Sequence, residues 1–553
     1  MSELFLGRAV PRLKEWGGRV PVALVFPEAA PHALSTLGWQ VVYRILAERE
    51  DLAVERFFWD LTSPRPRSVD SGRDLGLFPL ILLSLNFEGD FPAALRLLKD
   101  ADISVKAAER PSWPLVLAGG PLAFLNPFPL LPALDAIFVG EAEAGLGEVM
   151  DHIAQAWNTG GDKDRALEDI ARLPGMLVPG KSPEPVPRAV AISSVGSLSD
   201  PAYSCFVSSE AQFRDMLLLE VNRGCPYGCR FCAAGSIYKP PRHARMETLQ
   251  EIVSRCTPQK VGLVGTALTD WPDLLPFLRW LHERKIKFSL SSLRADGLTD
   301  DLLEFLRHTG TRSVTLALEG ASRRLRQAMN KHFSEDAFLD AVARISRLQF
   351  GTLKLYMITG WPDEGEEDWA EFEAFLGLID DARRMGQGNR KKGVELVSLS
   401  VSCLVPKAWT PLQWAPIPEE QWFKSAMRRF KKAVGRFKGM RFAGENPGQA
   451  RVQMFLARGG EEIFPCLERA AEIGLAAAVR EFDGLVETVL RRPLGRDSIF
   501  PWERLEIGVS RKFLYSEWTK YRHQMVTPAC PESGCQECGL CGMDHFLSLP
   551  QGR

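Results

Sequence analysis

Three cysteines in one short loop constrain this chain more than any other feature of its sequence. Residues 217–238, LLLEVNRGCPYGCRFCAAGSIY, begin with an apolar run that predicts a strand and continue as a loop. Cys225, Cys229 and Cys232 have the spacing C-x3-C-x2-C, and Phe231 precedes the last of them. Three thiolates can hold three irons of a cubane cluster and leave the fourth iron open, as a catalytic site needs. For three bare cysteines, a zinc site that borrows a distant fourth ligand is the alternative.

The length and charge of the chain indicate a globular protein with several domains. A chain of 553 residues is expected to form roughly two to four domains. Its formal net charge of −1 gives no global field that would recruit nucleic acid or an anionic membrane. No apolar run approaches the roughly 20 residues that span a bilayer, and the N-terminus, MSELFLGRAVPRLKEW, lacks an apolar signal core. We therefore expect a cytoplasmic protein without a membrane span.

The cysteine usage indicates metal binding. The chain has 11 cysteines, most of them in two tight clusters, at 225–232 and 530–541. In a cytosolic chain such clustering favours metal ligation over disulfides. The isolated cysteines are expected to be buried small residues; they are Cys205, Cys256, Cys403 and Cys466.

Residues 18–150 alternate apolar strands with helical patterns, which predicts a Rossmann-like domain over residues 1–150, a parallel sheet with crossover helices. The turns Gly119-Gly120 and Gly140-Glu141 end two of its strands, where ligands lie in such sheets. Residues 151–213 are rich in proline and predict a linker without a site of its own.

Strand and helix units recur from residue 214 to about residue 436. Strands are expected at 216–221, 260–265, 286–292, 312–318, 352–359 and 395–402. Six such units indicate a partial (β/α)6 barrel of the TIM type, with the site at the carboxyl ends of its strands. Residues 437–553 predict a mostly helical region with a cysteine-rich tail. The fold class is α/β.

Polar groups follow several of these strands. Gly265 and Thr266 end the second strand, where exposed backbone N–H groups could meet a carboxylate. Ser292 and Arg294 end the third strand, although for Arg294 alone a surface or capping contact is the alternative. Glu319 ends the fourth strand, and a carboxylate at a helix N-terminus is its alternative role.

The tail, TPACPESGCQECGLCGM, carries a full set of four thiolates with the spacing C-x4-C-x2-C-x2-C; they are Cys530, Cys535, Cys538 and Cys541. Zinc and a 4Fe–4S cluster both accept four thiolates. We favour a 4Fe–4S cluster, because a protein with one such cluster is already matured by iron–sulfur machinery. An auxiliary cluster would also relay electrons or supply sulfur. We expect this second site close to the barrel mouth.

The cysteine loop, with its motif RGC-x3-C-x-FC-x-AG, resembles the radical S-adenosylmethionine (SAM) superfamily. The resemblance implies that Cys225, Cys229 and Cys232 hold a catalytic 4Fe–4S cluster whose open iron chelates the amino and carboxylate groups of SAM. One electron would then cleave the sulfonium and release a 5′-deoxyadenosyl radical. A flavodoxin- or ferredoxin-like protein is the implied electron donor.

Two further stretches resemble this superfamily, namely GASRRLRQAMNK after the fourth strand and LYMITGWPDEGEED around the fifth. By that resemblance Glu319 and Arg294 contact the ribose or methionine end of SAM, and the backbone of 356–360 contacts the adenine. The implied SAM contacts are Phe231, Gly265, Thr266, Ser292, Arg294, Glu319, Ile358 and Gly360.

The N-terminal segments SLNFEGDF and LAGGPLAFLNPFPLLPALDAIFVGEAEA resemble the cobalamin-binding-like domain that precedes many radical SAM domains. That domain usually supplies a histidine within D-x-H-x-x-G, and this chain has no such motif. His32, the only histidine before residue 150, is expected in a surface loop. The domain would bind cobalamin without a protein ligand, bind something else, or only support the barrel. The whole chain resembles a functionally uncharacterised radical SAM group with a C-terminal cysteine cluster.

The expected activity is reductive SAM cleavage followed by hydrogen abstraction from an unactivated carbon. Methyl transfer to carbon, linked to cobalamin, is the leading reaction. Sulfur insertion or another modification of RNA or a peptide, using the second cluster, is the first alternative. A non-catalytic iron–sulfur electron carrier is the second alternative, and it would not need the motifs at the strand ends.

Overall fold

The computed structural model describes residues 3–5, 13–59, 65–191, 196–291, 293–331, 333–531, 535 and 537–541. Within these ranges no helix is both long and apolar enough to cross a membrane. The chain folds into an N-terminal α/β unit, a parallel half-barrel and a helical C-terminal region.

The N-terminal unit is a six-stranded sheet with the order β3-β2-β4-β5-β6-β7, parallel except where β7 runs against β6. Its central strands are buried on both faces, as their unbroken apolar sequences require. His32 is exposed, as expected, but it lies in the short helix Ala30–Ala33 and not in a loop. The elements of this unit are β1 (Glu3–Phe5), β2 (Val20–Phe26), α1 (Ala30–Ala33), α2 (Leu37–Ala47), β3 (Leu52–Phe58), β4 (Leu80–Ser84), α3 (Asp90–Asp100), β5 (Leu115–Gly119), β6 (Ala136–Phe138), α4 (Leu146–Asn158), α5 (Lys163–Ile170) and β7 (Met176–Leu177).

The predicted linker 151–213 is wrong in its first part. Residues 163–170 form α5, and β7 adds an antiparallel edge strand to the N-terminal sheet. The rest of the segment also pairs with other units through β8 (Val186–Pro187), β9 (Gly196–Leu198) and β10 (Phe206–Ser208). The segment therefore connects the N-terminal unit to the barrel through strand pairing.

The six predicted barrel strands are all present, and a seventh follows them. Parallel strands pair as β11-β14-β15 and as β16-β17-β18-β19, and a bridge between Leu293 and Leu316 joins the two sets. Among the described residues β11 and β19 do not pair, so the barrel is open on that side. The strands are β11 (Leu217–Glu220), β12 (Asn222–Arg223), β13 (Arg242–Ala244), β14 (Lys260–Val264), β15 (Lys287–Ser289), β16 (Ser313–Glu319), β17 (Thr352–Thr359), β18 (Leu396–Cys403) and β19 (Met440–Gly444).

Helices cover the outer face of the half-barrel and build the C-terminal region. Those of the barrel are α6 (Ala234–Ile237), α7 (Met246–Cys256), α8 (Leu274–Glu283), α9 (Asp300–His308), α10 (Arg323–Ala328), α11 (Glu335–Arg347), α12 (Glu366–Gln387) and α13 (Glu420–Val434). The C-terminal region contains α14 (Pro447–Arg458), α15 (Phe464–Ile473), α16 (Leu475–Glu481), α17 (Asp483–Arg491), β20 (Leu505–Glu506) and α18 (Arg511–Arg522). The four isolated cysteines are buried, as expected.

Candidate active site

The Cys loop (residues 224–241) follows β11 and is closed at its base by a short strand pair. β12 and β13 run antiparallel, with Arg223 opposite Arg242. Gly224 has a φ of +82°, and a Cβ at this position would lie 2.4 Å from the carbonyl oxygen of Tyr238. This turn therefore requires glycine. The strand pair and the turn hold the loop at the carboxyl end of β11.

The three cysteines of the Cys loop are half-buried. Burial raises the pKa of Cys225 to about 11 and that of Cys229 to about 12. Burial also raises the pKa of Cys232, against hydrogen bonds from backbone N–H groups. Lys331 lowers the pKa of Cys229, but not enough to offset burial. Without a bound cation these thiols stay protonated at neutral pH, and a bound metal would supply the missing positive charge.

The segment after β16 packs against the Cys loop. Glu319 lies at a bulge in β16, has a φ of +61°, and accepts a 2.7 Å hydrogen bond from Lys331. The Lys331 ammonium lies 6.0 Å from the ring centroid of Phe231. Glu319 is not a helix cap, because the Ser322 side chain caps α10. The carboxylate, the ammonium and Phe231 therefore lie together beside the cysteines.

The C-terminal region supports the Cys loop from the other side. The fully buried Arg230 donates to the Glu517 carboxylate of α18 at 3.0 Å and to the carbonyl of Met525 at 2.8 Å. The N–H of Cys530 donates to the carbonyl of Pro226 at 2.8 Å. The cysteine tail therefore begins directly against the loop.

In the turn after β14, one of the backbone N–H groups that were expected to be exposed is already hydrogen-bonded. The Asn222 carboxamide oxygen accepts the N–H of Thr266 at 2.9 Å, so this N–H is not available to a carboxylate. The Thr266 hydroxyl donates to the carbonyl of Gly224. A Cβ on Gly265 would lie 2.5 Å from the same Asn222 oxygen. The turn therefore fixes the start of the Cys loop.

Arg294 stacks on the Cys loop. Its guanidinium carbon lies 3.6 Å from the ring centroid of Tyr227, and its side chain forms two hydrogen bonds with Asp296. The Tyr227 hydroxyl donates to Asp270 at 3.2 Å. Arg294 is thus next to the cysteines and is more than a surface contact. Ser292 lies outside the described residues.

The turn after β17 is organised by Glu364, which the sequence reasoning missed. The Glu364 carboxylate accepts the N–H groups of Gly360 at 2.7 Å and Trp361 at 3.1 Å. Burial raises the pKa of Glu364 to about 7. The Trp361 indole donates to the carbonyl of Ile358 at 2.8 Å and meets the Phe231 ring edge-on at 5.4 Å. The turn predicted to contact SAM is thereby packed onto the Cys loop.

Two family models match this chain, one over most of the half-barrel and one over most of the N-terminal unit. The model described as the radical SAM superfamily matches residues 219–376, which include the Cys loop and the turns after β14, β16 and β17. A second model, described as the N-terminal part of radical SAM proteins, matches residues 38–179. The chain belongs to the radical SAM superfamily. Membership implies a 4Fe–4S cluster and SAM as cofactors.

The residues of the Cys loop fit such a cluster. Cys225, Cys229 and Cys232 lie half-buried in one loop, and each pair is close enough for one thiolate to raise the pKa of another. Within the described ranges no three His, Cys, Asp or Glu side chains converge as ligands of a single ion. A cubane cluster does not require such convergence, because its thiolates bind different irons.

Relatives of this radical SAM protein cover it to different extents. An uncharacterized protein of Methanocaldococcus jannaschii is 27% identical over 475 residues, which are 85% of this chain and 96% of that protein. A tRNA-2-methylthio-N(6)-dimethylallyladenosine synthase of Clostridium perfringens is 27% identical over 165 residues, 27% of this chain and 36% of the synthase. Among solved structures, the cobalamin- and cluster-bound methyltransferase TsrM of Kitasatospora setae has a TM-score of 0.48 at 13% identity, covering 71% of this chain and 74% of TsrM.

Cys530, the first of the tail cysteines, lies beside the Cys loop. Burial raises the pKa of Cys530. The neighbouring Cys538 and Cys535 raise this pKa further, whereas Lys239 lowers it. The Lys239 ammonium approaches the Cys530 sulfur at 3.5 Å. Cys538 is buried, whereas Cys541 is exposed. Three of the four predicted ligands are thus within electrostatic range of one another.

A cavity of about 440 Å³ lies between the N-terminal unit and the barrel. Its apolar part is formed by the carboxyl ends of the N-terminal strands and by α2, including Leu24, Trp39 and Leu117. Gly265 and Thr266 of the barrel complete its wall. This volume is within the range of small-molecule sites.

Buried charges border this cavity. Arg223 forms ion pairs with Glu141 at 2.8 Å, Glu143 at 2.9 Å and Glu220 at 2.8 Å, and Arg242 binds Glu141 at 2.6 Å. Burial alone would raise the pKa of Glu141, but the two arginines lower it to about 2. The network ties the turn after β6 to the base of the Cys loop.

Proposed function

We propose that this radical SAM protein is an enzyme that cleaves SAM reductively and abstracts hydrogen from an unactivated carbon of its substrate. The observation that carries the proposal is the half-buried Cys loop at the carboxyl end of β11, surrounded by the turns after β14, β16 and β17. An electron carrier would not need three strand-end turns packed around its cluster. A flavodoxin- or ferredoxin-like donor would supply the electron.

The chain's own residues have distinct roles in this proposal. Cys225, Cys229 and Cys232 hold the cluster, whose open iron would bind SAM and supply the electron for its cleavage. Phe231 and Trp361 form an apolar wall that excludes water from the space next to the cluster. Gly360 lets the turn after β17 pack against Phe423, since a side chain there would be strained and would meet that ring.

Charged side chains at the ends of two strands flank the proposed SAM site. We infer that Arg294, held by Tyr227, and the Glu319–Lys331 pair border the SAM site, together with Ile358. Their charges would face the ribose or the methionine end of SAM. The backbone around Ile358 would face the adenine.

Anaerobic reconstitution with iron, sulfide and a strong reductant tests the activity. Wild-type protein should form 5′-deoxyadenosine from SAM, and the triple variant C225A/C229A/C232A should not. The matched control is C205A/C256A/C403A, which removes three buried thiols outside the loop and should keep the activity. Equal product from wild type and the loop variant would overturn the proposal. Cluster absorbance without any change in its electron paramagnetic signal on adding SAM would support an electron carrier instead.

We propose methyl transfer to carbon, linked to cobalamin, as the reaction. Its support is the N-terminal sheet unit, whose strand ends and α2 form the 440 Å³ cavity against the barrel. This cavity would hold only part of a cofactor as large as cobalamin. Protein reconstituted with hydroxocobalamin should retain it through gel filtration, whereas V41W, which fills the cavity, should not. If the wild-type protein does not retain hydroxocobalamin, cobalamin-linked methyl transfer is refuted.

Sulfur insertion into RNA or a peptide is the second candidate. It is favoured by the position of Cys530 against the Cys loop and by the partial similarity to the tRNA-modifying synthase. We propose a 4Fe–4S cluster on Cys530, Cys535, Cys538 and Cys541. Fully reconstituted protein should then contain about eight irons per chain, and the tail variant C530A/C535A/C538A/C541A about four. About four irons and one zinc in wild type would identify zinc as the tail metal.

A further inference from the structure

The inner face of the half-barrel is polar and open. Along β17 the buried Leu353, Leu355 and Met357 alternate with Lys354 and Tyr356, which are exposed. The buried set packs against the covering helices, so the exposed set faces the inside of the half-barrel. TIM barrels fill this space with branched apolar side chains. Here it is left open to solvent and lined by polar groups.

Strand register aligns cations and hydroxyls in one row across this face. Thr315 pairs with Lys354, Lys354 with Ser398, and Ser398 with Arg441. Neighbouring strands lie about 4.8 Å apart, so the row extends over roughly 14 Å. The next row toward the strand ends contains Tyr356. The row therefore presents two cations and two hydroxyls to the same space.

The cations of this face have no counter-ions among the residues that the structure describes. Lys354 and Arg441 make no ion pair or side-chain hydrogen bond with any described residue, and the same holds for Lys260 and Lys287 on β14 and β15. The inward carboxylate nearest to them along β16 is Glu319, and it is bonded to Lys331. Elsewhere the arginines of the barrel are mostly ion-paired, for example Arg324 and Arg326.

We infer that this row binds a phosphate group of an elongated substrate. This inference rests on the proposed function. A phosphate dianion matches two cations, and its oxygens accept the hydroxyl donors beside them. Lys354 is four residues before Ile358 at the strand end, or about 13 Å along the strand. The reacting carbon would therefore lie about 13 Å from the phosphate. The other end of the substrate would reach the Cys loop.

Calorimetric titration of the reconstituted full-length protein with inorganic pyrophosphate at low salt tests this site. Each charge-assisted contact should contribute at least tenfold to affinity, so K354A/R441A should bind about 100-fold more weakly than wild type. K354R/R441K keeps both charges and should remain within about tenfold of wild type. The control K431A/K432A removes the same charge from the exposed face of α13 and should bind as wild type does.

Three results would overturn the phosphate site. They are absence of pyrophosphate binding to wild type, equal weakening in K431A/K432A, and succinate binding as tightly as pyrophosphate. SAM cleavage is measured separately on wild type. Cleavage without pyrophosphate binding overturns the substrate class alone, and binding without cleavage supports the phosphate site while it overturns the proposed reaction.

Discussion

Replacing Glu517 by glutamine should loosen the Cys loop although the substitution lies 285 or more residues from its cysteines. The Glu517 carboxylate is 2% exposed and accepts bonds from Arg230 at 3.0 Å, Lys520 at 2.7 Å and Thr527 at 2.8 Å. Glutamine keeps the shape but removes the charge, so the buried Arg230 guanidinium loses its counter-ion. Removing one partner of a buried ion pair costs about 3–5 kcal/mol. Because the amide still accepts one bond, we expect about 3 kcal/mol.

Hydrogen exchange in the native protein measures this effect. A loss of about 3 kcal/mol corresponds to an approximately 100-fold faster opening, since 1.36 kcal/mol is a factor of ten. Peptides that cover the Cys loop and residues 525–530 should exchange faster in E517Q, while the N-terminal sheet should be unchanged. The matched control is E366Q, which breaks the surface ion pair between Glu366 and Arg429. It should change the free energy of opening by less than about 1 kcal/mol.

The same variant should lose iron more readily from the catalytic site, because a looser loop holds the three thiolates less well. Chelator challenge of reconstituted E517Q and E366Q compares the two rates. If both variants exchange and release iron as wild type does, the Arg230–Glu517 contact does not support the loop and the reasoning from burial is refuted.

Two further predictions concern the turn after β17. Burial raises the pKa of Glu364 from 4.5 to about 7, so the folded state binds more protons than the unfolded state between these values. Wild-type stability should fall as pH rises from about 5 to 7, and E364Q should flatten this part of the melting-temperature profile; an unchanged slope would contradict the assignment. G360A places a Cβ 2.4 Å from the Phe423 ring at a φ of +98° and should destabilise the turn by about 1–3 kcal/mol, whereas G365A, with no close contact, should not.

The proposed cluster ligands are visible in the sequence because the information is local. Cys225, Cys229 and Cys232 lie within eight residues, and the structure keeps them in one loop. The six barrel strands are equally visible, since each is an apolar run between turn residues. The short edge strand β7 and helix α5 were hidden in a proline-rich stretch, where periodicity over two to eight residues is too weak to detect.

Contacts between distant segments could not be predicted. Nothing near Arg230 in the sequence indicates that Glu517 is its partner, and burial of the pair follows from how α18 packs. The acidic stretch after β17 offers several carboxylates, and only the fold selects Glu364. The polar inner face could be predicted only in part. The alternation of apolar and polar residues along β17 and β18 is visible in the sequence, but the row of cations depends on the strand register.

The end of the Cys loop connects the three parts of the molecule. Tyr238 lines the cavity against the N-terminal unit, and the carbonyl of Lys239 accepts a 2.8 Å bond from Arg188 in the connecting segment. The ammonium of the same Lys239 approaches the sulfur of Cys530 at 3.5 Å. Tyr238 and Lys239 follow α6, the short helix after Cys232, so a ligand in the cavity and a metal on the tail would both contact the end of the Cys loop. We therefore expect occupancy of either to change the position of the Cys loop.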